Sequence, residues 1–247
     1  MTTTTVAPAT TRIVGATATG AGHLRRGVGC QDRFASEVFG DAVLLAVSDG
    51  LGSALHAEAG AETAVGAAVR SGRTLVAAAP DCPPAFIAAQ MVACARAALQ
   101  AHELALADLA CTLIAVAARG TDVSIAHIGD GAVIGSRGDE VVMLSPPAPS
   151  EYINEVVPLT APGWEEHVRV SPCVAGIDAV LALTDGCQHA ALTARGEPSA
   201  AFAGPIVHHV RGAGEAACRD LEALLSGQVL AEHCDDDKTL VVALLEP

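Results

Sequence analysis

The chain has 247 residues, of which 51% are hydrophobic and only 2% aromatic, and it carries a formal net charge of -14. This composition excludes a disordered chain and requires a core filled by Ala, Val, Leu and Ile. The charge excludes a nucleic-acid backbone or an anionic membrane as partner, because long-range repulsion opposes both encounters; a basic peptide segment or bound cations suit it better.

The opening MTTTTVAPATT reads as a short tail over residues 1–11, without the basic or apolar regions of a secretory signal, and one domain is expected over 12–247. No apolar run reaches the roughly 18 to 20 residues that a membrane span needs, so a cytoplasmic setting is expected. Strands are predicted over 12–19, 33–39 and 41–48, the last being the continuous apolar run of a buried strand. Two Ala-rich helices follow over 56–79 and 83–106, separated by the helix-breaking segment PDCPP. From 111 to 144, short β-type runs alternate with Arg-Gly and Asp-Gly turn signals, which predicts an antiparallel meander. The Pro-rich stretch 145–162 is expected as a surface loop, 165–170 and 179–184 as strands, 201–225 as a helix interrupted near Gly212 and Gly214, and 239–245 as a last strand. Clustered strands and segregated helices predict an α+β fold of layered antiparallel sheets covered by helices. None of the eight cysteines makes the two-residue-spaced pair of a zinc or redox site, and they are expected as buried free thiols.

Three apolar runs end in the same dipeptide, at Asp49-Gly50, Asp130-Gly131 and Asp185-Gly186, and a fourth acidic group, Asp235-Asp236-Asp237, precedes the last strand. Asp-Gly by itself is a common hairpin turn. After Asp130-Gly131 another strand pattern follows, so a hairpin fits there. After the other two the pattern turns helical, which makes them strand-to-helix junctions at one edge of a layered sheet, where carboxylates converge. Two such charges about 4 Å apart repel by roughly 4 kcal/mol at an effective dielectric near 20, so several together need a cation or a proton. Oxygen donors are hard and favour Mg²⁺ or Mn²⁺ over zinc, and a glycine beside each Asp leaves room for a carbonyl or a water to reach the metal. Two ions about 3.5 to 4 Å apart lower the pKa of a bridging water and clamp phosphoryl oxygens, a device for phosphate-ester hydrolysis.

In order, GHLRRGVGCQD (22–32), VSDGLGS (47–53), HIGDG (127–131), LTDG (183–186) and DDKT (236–239) resemble the motifs of the PPM, or type 2C, Ser/Thr protein phosphatases, in their compact bacterial form. The resemblance implies a four-layer α-β-β-α sandwich of two antiparallel sheets flanked by helices, and a monomer. It implies two ions, Mn²⁺ or Mg²⁺, with Asp49 bridging both, the Gly50 carbonyl as a ligand, and Asp185 and Asp236 on the other side. Asp32 would sit at the metal or one water away, orienting the water that attacks phosphorus in line without a phosphoenzyme. A phosphoprotein substrate follows, with a cognate Ser/Thr kinase or its targets as partners.

The chain also departs from that pattern. Gln31 stands where many relatives have Glu, and Gly27 where a phosphate-binding arginine is expected, leaving Arg26 or Arg25 to reach in. Leu51 occupies the place of a general-acid histidine, and the nearest imidazole is His56, at the expected start of a helix. Asp130 matches an aspartate that helps hold a third, weaker metal, but its usual partner is His189 here, so a third ion would be lost or differently ligated. Two other readings follow from these departures and from the Gly-rich DGLGS loop: a non-catalytic regulatory module of the same fold, or an unrelated phosphate-binding enzyme. The second is weakened because the loop lacks a P-loop lysine.

Overall fold

The computed structural model describes residues 11–148, 156–232 and 234–246. Nearly all of the tail expected at 1–11, and the part of the Pro-rich loop at 149–155, lie outside them. Strand β1 (Arg12–Ala18) leads into a short helix, α1 (Ala21–Arg26), which the periodicity did not announce. Next come the hairpin of β2 (Arg33–Phe39) and β3 (Ala42–Ser48) and the long helices α2 (Ala57–Ala78) and α3 (Pro84–Gln100). Two further hairpins follow, β4 (Leu113–Arg119) with β5 (Asp122–Ile128), and β6 (Ala132–Arg137) with β7 (Glu140–Ser145). The remaining elements are β8 (Arg169–Val170), β9 (Ala179–Leu183), α4 (Gln188–Ala191), α5 (Ala200–Gly212), α6 (Ala217–Leu225), α7 (Gln228–Ala231) and β10 (Lys238–Leu244).

The strands form two antiparallel five-stranded sheets, ordered β1-β10-β9-β6-β7 and β2-β3-β4-β5-β8. Helices α2 and α3 cover the second sheet, and α5 and α6 cover the first, giving the expected α-β-β-α sandwich. Residue alternation explains the continuous apolar runs. In β3, Ala42, Leu44 and Ala46 face the α2/α3 layer, while Val43, Leu45 and Val47 face the other sheet. In β9, Ala179, Leu181 and Leu183 face the α5/α6 layer, while Val180 and Ala182 point between the sheets. Inside β3 and β9, covered on both faces, no polar residue stands, so their chemistry collects at their ends.

Four expectations change. The stretch 111–144 is not one meander: β5 pairs within one sheet and β6 within the other, so Asp130-Gly131 marks the crossing between sheets and not a hairpin turn. Gly129 makes that crossing at φ 117°, a conformation that side-chain-bearing residues rarely adopt, and a Cβ there would stand 2.5 Å from Thr112 Cβ. The second long helix stops at Gln100, before a separate 3₁₀ turn at Leu106–Leu109, and the strand expected at 165–170 shrinks to the two residues of β8 after another turn at Trp164–His167. All eight cysteines are free, but only Cys111 and Cys187 are buried, and Cys173 and Cys218 are exposed. No described helix is long and apolar enough to cross a membrane.

Candidate active site

The ends of β3 and β9, the segment entering β10 and the β5–β6 crossing deliver Asp49, Asp185, Asp236 and Asp130 to one open cleft of ≈ 1060 Å³. Asp32, just before β2, lies buried against the same cluster. Hydrogen bonds to Thr112 fix the junction after β3. The Asp49 amide donates to Thr112 Oγ1 (3.0 Å), the Thr112 amide returns a bond to the Asp49 carbonyl (2.8 Å), and Ser48 Oγ donates to the Thr112 carbonyl (2.6 Å). The glycines beside the aspartates work differently from the expectation. A Cβ at Gly186 would stand 1.9 Å from the Asp237 carbonyl oxygen, and one at Gly50 would stand 2.7 Å from that of Ala57. Their missing side chains let separate backbone segments touch, and that contact brings the carboxylates together.

Asp32 is 1% exposed; its Oδ2 accepts from Thr184 Oγ1 (2.7 Å), which itself accepts from the Thr239 amide (2.9 Å). Burial raises the Asp32 carboxyl to about 6 against the hydrogen bond from Thr184. Asp49 is pushed well above the usual carboxylate range by burial and then by the charges of Asp32 and Asp185. Asp185 rises to about 7 through burial, helped by Asp130, Asp236 and Asp32, and burial followed by the Asp236 charge raises Asp130. Without a counter-charge this cluster holds protons.

The donor set fits hard divalent cations. It is built of carboxylate oxygens, and two further oxygens stand open among the described residues: Asp32 Oδ1 is buried without a partner, and the Gly50 carbonyl accepts no hydrogen bond. Asp237, in contrast, is fully engaged. Its Oδ1 accepts from the Gly20 amide (2.7 Å), and its Oδ2 from the Gln31 amide (2.6 Å) and His23 Nδ1 (2.8 Å).

The two arginine candidates separate. Arg26 stands on α1 and lines the cleft, whereas Arg25 is exposed and pairs with Asp235. His56 immediately precedes α2 and does not line the cleft; the imidazoles that do are His23 and His189. Sequence reasoning passed over His23, Thr184 and Gln188, whose Nε2 bonds the Asp130 carbonyl. The threonine and glutamine stand within three residues of Asp185, and His23 within the first motif, so proximity to the aspartate motifs was the available signal.

The protein phosphatase 2C family model matches residues 19–226. Serine/threonine-protein phosphatase 3 of Escherichia coli (strain K12) is 29% identical over 247 aligned residues, covering 94% of this chain and 98% of the relative. Among solved structures, the S. agalactiae serine/threonine phosphatase superimposes with a TM-score of 0.65 at 15% identity, covering 96% of this chain and 100% of the other. RsbX, solved in complex with magnesium, gives 0.56 at 14% identity, with 96% of each chain covered. At these identities the structural likenesses speak for the fold.

Proposed function

Since this chain belongs to the protein phosphatase 2C family of serine/threonine phosphatases, we propose that its cleft holds two divalent cations, Mn²⁺ or Mg²⁺, and hydrolyses phosphoserine or phosphothreonine esters of a protein. The observation that carries this reading is the convergence of Asp49, Asp130, Asp185 and Asp236 from separate chain segments on one cleft, with Asp49 and Asp185 holding protons well above the ordinary carboxylate range. Asp49, Asp185, Asp236 and the Gly50 carbonyl would hold the two ions, and Asp130 would be a weaker, outlying ligand. Such ions supply Lewis-acid stabilisation of the phosphoryl oxygens and a lowered pKa for water.

The chain's own residues position the reaction. Asp32, anchored through one oxygen by Thr184, keeps Oδ1 free to accept a hydrogen bond from the attacking water and to fix its line of approach. Arg26, at the rim, offers a guanidinium to the phosphoryl group or to acidic flanking residues of the substrate. The magnesium complex of RsbX supports the choice of cation by analogy of fold. The reading carries with it a cytoplasmic location and, as partner, the kinase that phosphorylates the same protein.

The test is metal-dependent turnover of p-nitrophenyl phosphate and of a phosphothreonine peptide, together with calorimetric counting of Mn²⁺. Two ions per chain, activity abolished by EDTA and restored by Mn²⁺, and loss in Asp185→Asn are expected. Metal binding without turnover would move the chain to the non-catalytic reading, and turnover indifferent to EDTA would refute the metal mechanism.

A further inference from the structure

That mechanism gives no part to His23, which stands beside Asp236 in the cleft. One ligand atom each of His23, Asp236 and Asp237 lies within 4.8 Å of the others. The His23 ring and the Asp236 carboxylate therefore border the same space. Asp237 does not need an ion, since its two oxygens already accept from two backbone amides and from His23. An acceptor in that position calls for a proton of His23 on Nδ1, and in the neutral imidazole that tautomer carries the lone pair on Nε2. His23 is 5% exposed and lines the cleft, and its Nε2 has no hydrogen-bond partner among the described residues. Asp236 stands next to it, held by the Asp237 amide at Oδ1 (2.8 Å) and by Lys238 Nζ at its carbonyl (2.8 Å).

We infer that His23 Nε2 is a nitrogen ligand to the divalent cation held by Asp236, with Asp237 as the carboxylate that orients the imidazole from behind. This deepens the two-cation reading and rests on it. Carboxylate, histidine and metal then form one line: the anion fixes the tautomer and raises the basicity of the ligating nitrogen. An imidazole added to an oxygen set shifts preference toward Mn²⁺ and away from Mg²⁺, which suits oxygen ligands and octahedral geometry. The site therefore selects Mn²⁺ more strongly than carboxylates alone would.

The test is pulsed electron paramagnetic resonance of the Mn²⁺-loaded full chain, with calorimetry on the same samples. The expected spectrum shows ¹⁴N coupling from one directly bound imidazole, replaced by a ¹⁵N pattern on histidine labelling, lost in His23→Gln and kept in His189→Ala. Asp237→Asn should weaken Mn²⁺ by about 10–100-fold, the range found for partners that orient a ligating histidine. Two bound Mn²⁺ without nitrogen coupling would overturn the His23 assignment and leave the two-cation reading standing; no bound Mn²⁺ would overturn both. Coupling that survives His23→Gln but disappears in His189→Ala would assign the nitrogen to the wall residue instead. If His23→Gln fails to fold, His189→Ala decides the assignment: coupling kept there supports His23, and coupling lost overturns it.

Discussion

At the floor of the cleft, Asp49 and Asp185 follow strands packed on both faces and Asp32 is buried, whereas at its rim Arg26 and His189 stand exposed on helices of six and four residues. The floor is held by hydrogen bonds between segments far apart in the chain, such as Thr184 to Asp32, and by glycine contacts that tolerate no side chain. The rim makes few such bonds; Arg25 next door spends its charge on an exposed pair with Asp235. Chemistry that needs fixed geometry is thus placed where the sheets enforce it, and contacts with a variable substrate are placed where the chain is free to change.

The largest effect should come from the floor. Asp49→Asn is expected to lower kcat by at least about 10³-fold, on the order of 4 kcal/mol of transition-state stabilisation. Removing one of several repelling carboxylates should at the same time raise the melting temperature of the metal-free protein. Kinetics with Mn²⁺ and thermal unfolding in EDTA measure the two sides, and a variant that is both inactive and less stable would place Asp49 in the fold and not in the chemistry.

The same floor should make metal-free stability depend on pH. Asp32 titrates at about 6 and Asp185 at about 7 in the folded chain, against an ordinary carboxylate near 4. Between those values the native state binds protons that the unfolded state has released, so stability is fully present below the unfolded pKa and falls as pH rises through the folded ones. A loss on the order of a few kcal/mol is expected from pH 4 to 7, with Mn²⁺ raising the melting temperature most at the upper end. A melting curve in EDTA that climbs over this window would contradict the crowded-carboxylate picture.

Gly186→Ala should cost about 3 kcal/mol, because its methyl group meets the Asp237 carbonyl at 1.9 Å and the backbone must shift. Denaturant unfolding reads this directly, and an unchanged midpoint would show that the junction is looser than drawn. The rim should respond most weakly. Arg26→Ala is expected to raise KM for a phosphopeptide by roughly tenfold with little change in stability, about 1.4 kcal/mol of binding. Arg25→Ala should change KM less than twofold, because its charge is spent on an exposed pair with Asp235. Equal effects of the two substitutions would erase the distinction between the arginine in the cleft and the one beside it.

Legibility followed the same division. Asp49 and Asp185 could be read as a site because each directly ends an apolar run and is followed by a helical pattern. Asp130 could be found but not understood: two consecutive hairpins look alike whether they share a sheet or lie in two, since local turn chemistry is blind to which face the next strand will pack on. His23 was not legible. Its meaning comes from Asp237, which is 214 positions away. The helix that carries it is too short to show a period, and ends at Gly27 with φ 68°.

The layers were legible from the chain alone, because the continuous apolar runs of β3 and β9 leave no face for solvent, and so were the residue types at the strand ends. The tertiary structure decided which of those ends meet. Gly50 and Gly186 admit a foreign backbone, the Gly129 crossing joins the sheets, and Asp237 collects donors from Gly20, His23 and Gln31. The physical reason is range. Burial patterns are set by neighbours two to four residues apart, whereas a carboxylate's proton affinity and a histidine's free nitrogen are set by groups that become neighbours only after the chain has closed.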